Sequence, residues 1–88
     1  MKGGVKLVLV DISVPVFFRD YDFKLREDVP VREIIRQICR ILAEKEGCPM
    51  DETDHVFVLC SVSEKKILNM DWTLNRLNIR SGNRLLLI

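Results

Sequence analysis

The sequence predicts an α+β domain in which one mixed sheet of about four to five strands packs on one long helix, in ββαββ order. Three observations carry this expectation. Tyr21-Asp22-Phe23-Lys24-Leu25-Arg26 alternates apolar and charged with period two, the hydrophobic period switches to 3.6 at Val29-Pro30, and the remainder returns to short apolar runs separated by turn residues. At 88 residues the chain suits one core, burying roughly 60–65% of the surface its unfolded form exposes. A stability of roughly 4–13 kcal/mol is expected for that length.

In chain order, Met1-Lys2-Gly3-Gly4 has no apolar pattern and reads as a flexible lead-in of residues 1–4, leaving 5–88 as a single domain. Val5 to Val14 is β-branched and apolar, interrupted by Lys6, Asp11 and Ser13, which suits a central strand ended by Pro15. Tyr21 to Arg26 then pairs with it as an antiparallel hairpin. Pro30 fits the first helical position, and Val29 before it is driven toward extended geometry. Val31, Ile34, Ile35, Ile38 and Leu42 form one stripe at helical spacing, with Ile41 and Cys39 at its margins and Gly47 as the stop.

The rest is strand-rich: His55 to Cys60, a short segment at Lys66 to Asn69, and Asn83 to Ile88. Between the last two, Leu74, Leu77 and Ile79 are expected to plug the core beneath a loop, with Gly82 supplying a positive φ before the final strand.

Composition excludes several function classes. The apolar share of 48% and charged share of 31% indicate a folded chain. A net charge of +1 creates no field that would draw nucleic acid or an anionic membrane. No apolar run approaches the length of a membrane span, so no direct membrane insertion is expected. Cys39, Cys48 and Cys60 are odd in number, lack C-x-x-C spacing and read as reduced thiols of a cytosolic protein. With His55 the sole histidine, neither a metal site nor any other cofactor is expected.

No catalytic constellation emerges. His55 opens its strand and Cys60 ends it, roughly 16 Å apart if extended, and no phosphate loop or spaced carboxylate motif is present. The chain is therefore expected not to be an enzyme.

Two segments carry a resemblance that covers nearly the whole chain. Lys45-Glu46-Gly47-Cys48-Pro49-Met50-Asp51 resembles the loop that ends the ubiquitin helix. Thr73-Leu74-x-x-Leu77-x-Ile79-x-Ser81-Gly82-x-x-Leu85-x-Leu87 is similar to the closing segment of ubiquitin-like β-grasp proteins. Within that superfamily, Tyr21 to Arg26, Val29-Pro30-Val31 opening a helix longer than ubiquitin's, and Leu77-x-Ile79-x-Ser81-Gly82-Asn83-Arg84-Leu85 resemble the YukD/EsaB family of bacterial type VII secretion. That resemblance implies a cytosolic accessory or regulatory component whose protein partner is a secretion-machinery subunit such as the membrane-bound ATPase. A generic ubiquitin-like adaptor or a self-associating homo-oligomeric regulator outside secretion is the alternative. Ubiquitin-type conjugation and sulfur transfer need a flexible C-terminal Gly-Gly. On the expectation that Ile88 is the native end, the β-branched terminus disfavours both.

The expected working surface is the outer face of the sheet. If Leu85 and Leu87 point at the helix, Leu86 and Ile88 point away, and if Val56 and Val58 point inward, Phe57 joins them outside. Phe57, Leu86 and Ile88 are thus the candidate protein-binding residues. Phe17, Phe18 and Trp72 are further candidates, since aromatics in turns either pack or bind, and capping the core is their expected use. Arg32, Arg36 and Arg40 form a secondary basic ridge at i, i+4 spacing. It reads as a solvated face, and use by an acidic partner or a phosphate backbone would lack the aromatic platform of nucleic-acid binding.

Overall fold

The first strand, β1 (Leu7–Val14), turns through a 3₁₀ turn at Pro15–Phe17 into the antiparallel β2 (Arg19–Arg26). The helix α1 (Val31–Glu46) follows, then β3 (Leu59–Ser61), β4 (Lys66–Ile67) and β5 (Arg84–Leu87). The computed structural model describes residues 6–50 and 56–88. The lead-in 1–4, Val5 and His55 lie outside the described residues. The strands form one mixed sheet in the order β2-β1-β5-β3-β4. β5 runs parallel to β1 and antiparallel to β3. The last segment in sequence therefore occupies the middle of the sheet.

Strand alternation supplies one half of the core. Val8, Val10, Ile12 and Val14 of β1 and Tyr21, Phe23 and Leu25 of β2 all face α1. The helix supplies the other half, with Val31, Ile34, Ile35, Ile38 and Leu42 at 0–1% exposure. Isoleucine and valine cost a helix a few tenths of a kcal/mol each in intrinsic propensity. Burying each such side chain contributes about 2 kcal/mol, so packing decides that this segment is helical. Leu74 and Ile79 are buried and Leu77 is partly buried against them, which closes the core beneath the 74–79 loop as expected.

The helix ends are satisfied differently. At the C-terminus Gly47 adopts φ 65°, and the N–H groups of Gly47 and Cys48 both donate to the Ala43 carbonyl. At the N-terminus no side chain among the described residues caps the helix. The Val31 and Arg32 N–H groups instead donate to the carbonyls of Trp72 (2.9 Å) and Met70 (3.0 Å). This arrangement corrects the placement of Pro30 at the first helical position. Its ψ of 150° is extended, and it stands at the cap, bridged to Thr73. The loop across from it needs that extended residue to reach the helix end.

Other boundaries shift modestly. β2 begins at Arg19, because Phe18 takes a left-handed conformation (φ 53°) that ends the turn early. β3 is shorter than expected, although Val58 still exchanges hydrogen bonds with Ile88 at 2.8 and 3.0 Å. β4 spans Lys66–Ile67 only. Gly82 has φ 95° at the entry to β5, as the turn requires.

Candidate protein-binding face

The orientation of the sheet's residues follows from register. Leu85 and Leu87 are buried, so Leu86 and Ile88 stand on the outer face as expected. Leu59 pairs with Leu87, Cys60 with Leu86 and Ser61 with Leu85. Directly opposed residues share a face, so Leu59 and Ser61 point inward and Cys60 points outward. Phe57, two residues before Leu59, is consequently buried at 9% exposure, while Val56 is 67% exposed. This corrects the expectation that Phe57 joins Leu86 and Ile88 outside: the strand's phase is one residue from that assumed. The unbroken apolar run Val56-Phe57-Val58-Leu59-Cys60 has no alternation from which to read it.

The outer face divides into two halves. Over β3, β4 and β5 it is apolar. Ile67 lies opposite Cys60, Cys60 opposite Leu86, and Val58 opposite Ile88, so these side chains form adjoining rows. A groove of about 680 Å³ runs between Cys60, Val62, Ile67 and Leu86, flanked by Lys65 and Lys66. A separate hollow of about 370 Å³ is lined by Pro15, Val16, Phe57, Leu87 and Ile88; since Phe57 and Leu87 point inward, it belongs to the end of the sheet rather than to the outer face. Over β1 and β2 the face is mixed: Leu7 and Leu9 are 51% and 47% exposed, and the other outward side chains are polar or charged. Ser13 donates to Asp20 at 2.7 Å, and Arg84 Nε donates to Asp11 Oδ2 at 3.1 Å.

Cys60, Val62 and Ile67 were absent from the sequence-derived set. They are scattered along the chain and only strand register gathers them.

The basic ridge is largely neutralised. Arg32 is paired with Asp71, and Arg36 with Glu33 at 3.4 Å, while Arg40 makes no ion pair with a described residue. Such exposed pairs leave little free cationic surface for a phosphate backbone. Of the aromatics, Phe17 packs against the core as expected. Trp72 is half-buried, with the Arg76 guanidinium stacked 4.0 Å from its ring centroid. Phe18 departs from its expected capping role: it is 95% exposed at the hairpin tip.

The perturbed titrations lie away from the apolar half. Burial first, and then the hydrogen bond to Glu46 at 2.6 Å, push the Tyr21 hydroxyl up. The hydrogen bonds of the bidentate Arg26–Asp28 pair raise Arg26 and lower Asp28. Cys39 is buried, Cys48 exposed and Cys60 half-buried, each in a separate part of the fold. Among the described residues, no group of three or more His, Cys, Asp or Glu side chains is arranged to hold a metal ion. Among the same residues, no helix is long and apolar enough to cross a membrane.

Known structures share this architecture. The chain is similar to the ubiquitin-like domain of EccD5 from Mycobacterium xenopi, with a TM-score of 0.75 and 18% identity over 94% of this chain and 93% of that one. The fold is ubiquitin-like. A ubiquitin-like domain of the Mycobacterium tuberculosis type VII secretion protein EccD1 matches with a TM-score of 0.68 and 21% identity, over 94% of this chain and 98% of that one. A chain of the MycP5-free ESX-5 inner membrane complex matches with a TM-score of 0.73 and 18% identity, over 93% of this chain and 20% of that one. The domain thus resembles those of type VII secretion components. No protein-family model matches the chain, and no curated protein matches it.

Proposed function

We propose that this chain is a non-catalytic, protein-binding ubiquitin-like module, serving in the cytoplasm as an accessory or regulatory component of a bacterial type VII, ESX-like secretion system. The observation that carries the reading is the apolar half of the outer face. A domain this small exposes Ile67 at 63%, Ile88 at 44% and Val62 at 40% beside Leu86 and Cys60, with nothing of its own described residues laid over them. Contiguous exposed apolar surface of this kind marks an interaction site. Core residues meanwhile come entirely from the opposite face, so the outer face is spare for binding.

The secretion assignment draws on the likeness to the EccD5 and EccD1 ubiquitin-like domains and to a chain of an ESX-5 inner membrane complex, and on the YukD/EsaB-like segments. The partner proposed is a secretion-machinery subunit, such as the membrane-bound ATPase. Leu86→Asp combined with Ile67→Asp should keep the native circular dichroism spectrum, at some loss of stability because Leu86 is half-buried in the central strand, while abolishing capture by the purified type VII membrane complex. Capture at wild-type strength would refute the assignment of this face.

A further inference from the structure

We propose that the free edge of β2 pairs with β2 of a second copy of this chain, antiparallel about a two-fold axis at Phe23, continuing the sheet across two molecules. β2 is the eight-residue edge of the sheet, whereas the opposite edge, β4, has two residues. Its backbone parity is defined: Glu27 N–H donates to the Lys6 carbonyl, so the odd positions of β2 bond β1. Asp20, Asp22, Lys24 and Arg26 therefore direct their N–H and C=O groups to the open side.

The side chains of those same four residues make the edge self-complementary. With the axis at Phe23, Asp20 stands opposite the partner's Arg26 and Asp22 opposite the partner's Lys24, and each pair recurs by symmetry. A shift of the axis to residue 22 sets Asp22 against the partner's Asp22. A shift to residue 24 sets Lys24 against the partner's Lys24. Charges on an edge strand ordinarily discourage pairing; these discourage the neighbouring registers and favour one.

Two further observations support that register. Asp22 is paired in the sheet with Asp11, a like charge, while Asp11 has its cation in Arg84. Neither Asp22 nor Lys24 has a hydrogen bond or ion pair to a described residue, so the two central charges are left for an outside partner. Ile41, at the margin of the helix stripe, is 50% exposed above the same edge, lining a hollow with Tyr21, Phe23 and Lys45. The two-fold brings that hollow toward its copy. This contact leaves the apolar half over β3, β4 and β5 open, so both can be occupied together.

Strand-edge contacts are small and weak, so mass is followed by sedimentation equilibrium of the whole chain up to about 1 mM. The wild type is expected to dimerise, less tightly as salt rises. Asp22→Lys and Lys24→Asp each turn two symmetry-related attractions into repulsions and should weaken the dimer about tenfold or more. Combining Asp22→Lys with Lys24→Asp restores opposite charges across the axis and should return affinity to within about threefold of wild type. Both sites are exposed, and unchanged circular dichroism verifies folding. A wild type that stays monomeric at the highest concentration overturns the proposal. So do single variants that associate like wild type, or a double variant no tighter than the singles.

Discussion

Replacing Phe57 by alanine tests the register on which the outer face depends. Truncating a buried phenylalanine costs roughly 3–5 kcal/mol. Phe57 retains 9% exposure and lines a hollow with Pro15, Val16, Leu87 and Ile88, where neighbours can partly collapse. The lower end, about 3 kcal/mol, is therefore expected. Val56→Ala, at a site 67% exposed, should cost under about 0.5 kcal/mol. Urea unfolding followed by the fluorescence of Trp72, the sole tryptophan, separates the two. With an m-value of about 1 kcal/mol/M for a chain this small, Phe57→Ala should lower the midpoint by roughly 3 M and Val56→Ala by less than about 0.5 M. If Val56→Ala costs as much as Phe57→Ala, the inward phase of Phe57, Leu59 and Ser61 is wrong, and the apolar rows described on the outer face are wrong with it.

Other measurements probe separate parts of the structure. Tyr21→Phe removes the hydroxyl bonded to Glu46 and should cost roughly 1–2 kcal/mol at neutral pH. Because the folded Tyr21 pKa is raised above 10.0, its contribution is complete below the unfolded value and falls away above it. The stability gap between wild type and Tyr21→Phe should therefore narrow above about pH 10, and a gap that widens there contradicts the assignment. Gly82→Ala meets no atom within 4 Å but must hold φ 95°, so a loss of about 1–2 kcal/mol in chemical denaturation is expected from backbone strain alone. Maleimide labelling of the native protein should modify Cys48 and Cys60 and spare buried Cys39. A bound partner on the apolar half should protect Cys60 but not Cys48, and equal protection of both would place that partner elsewhere.

Where the sequence carried a period, the structure follows it. Tyr21 to Arg26 alternates and so displays which residues face α1; the Val31-to-Leu42 stripe identifies the buried side of the helix. Gly47 and Gly82 occupy the positive-φ positions that their places after a helix and before a strand implied. Legibility fails where the pattern is uniform or the determinant is remote. Val56 to Cys60 is apolar throughout, and only the pairing of Leu59 with Leu87 assigns its phase. Pro30 looks like a first helical residue, yet its conformation answers to Thr73, some forty positions away in the chain. Part of the candidate site was visible for the same reason: Leu86 and Ile88 lie in a strand whose inward leucines are evident. Cys60, Val62 and Ile67 join them through hydrogen-bond register, which no local pattern encodes.

The hydrogen bonds from the helix start to Met70 and Trp72, together with β5 seated between β1 and β3, bear on how the chain reaches this state. A ribosome that has released only the hairpin and helix has delivered neither the carbonyls that complete the helix nor the strand that joins the two halves of the sheet. Until residues 70–87 emerge, Val8, Val10, Ile12 and the helix stripe remain accessible to chaperones and proteases. Native-state hydrogen exchange should accordingly show the start of α1 and the centre of the sheet opening as one unit.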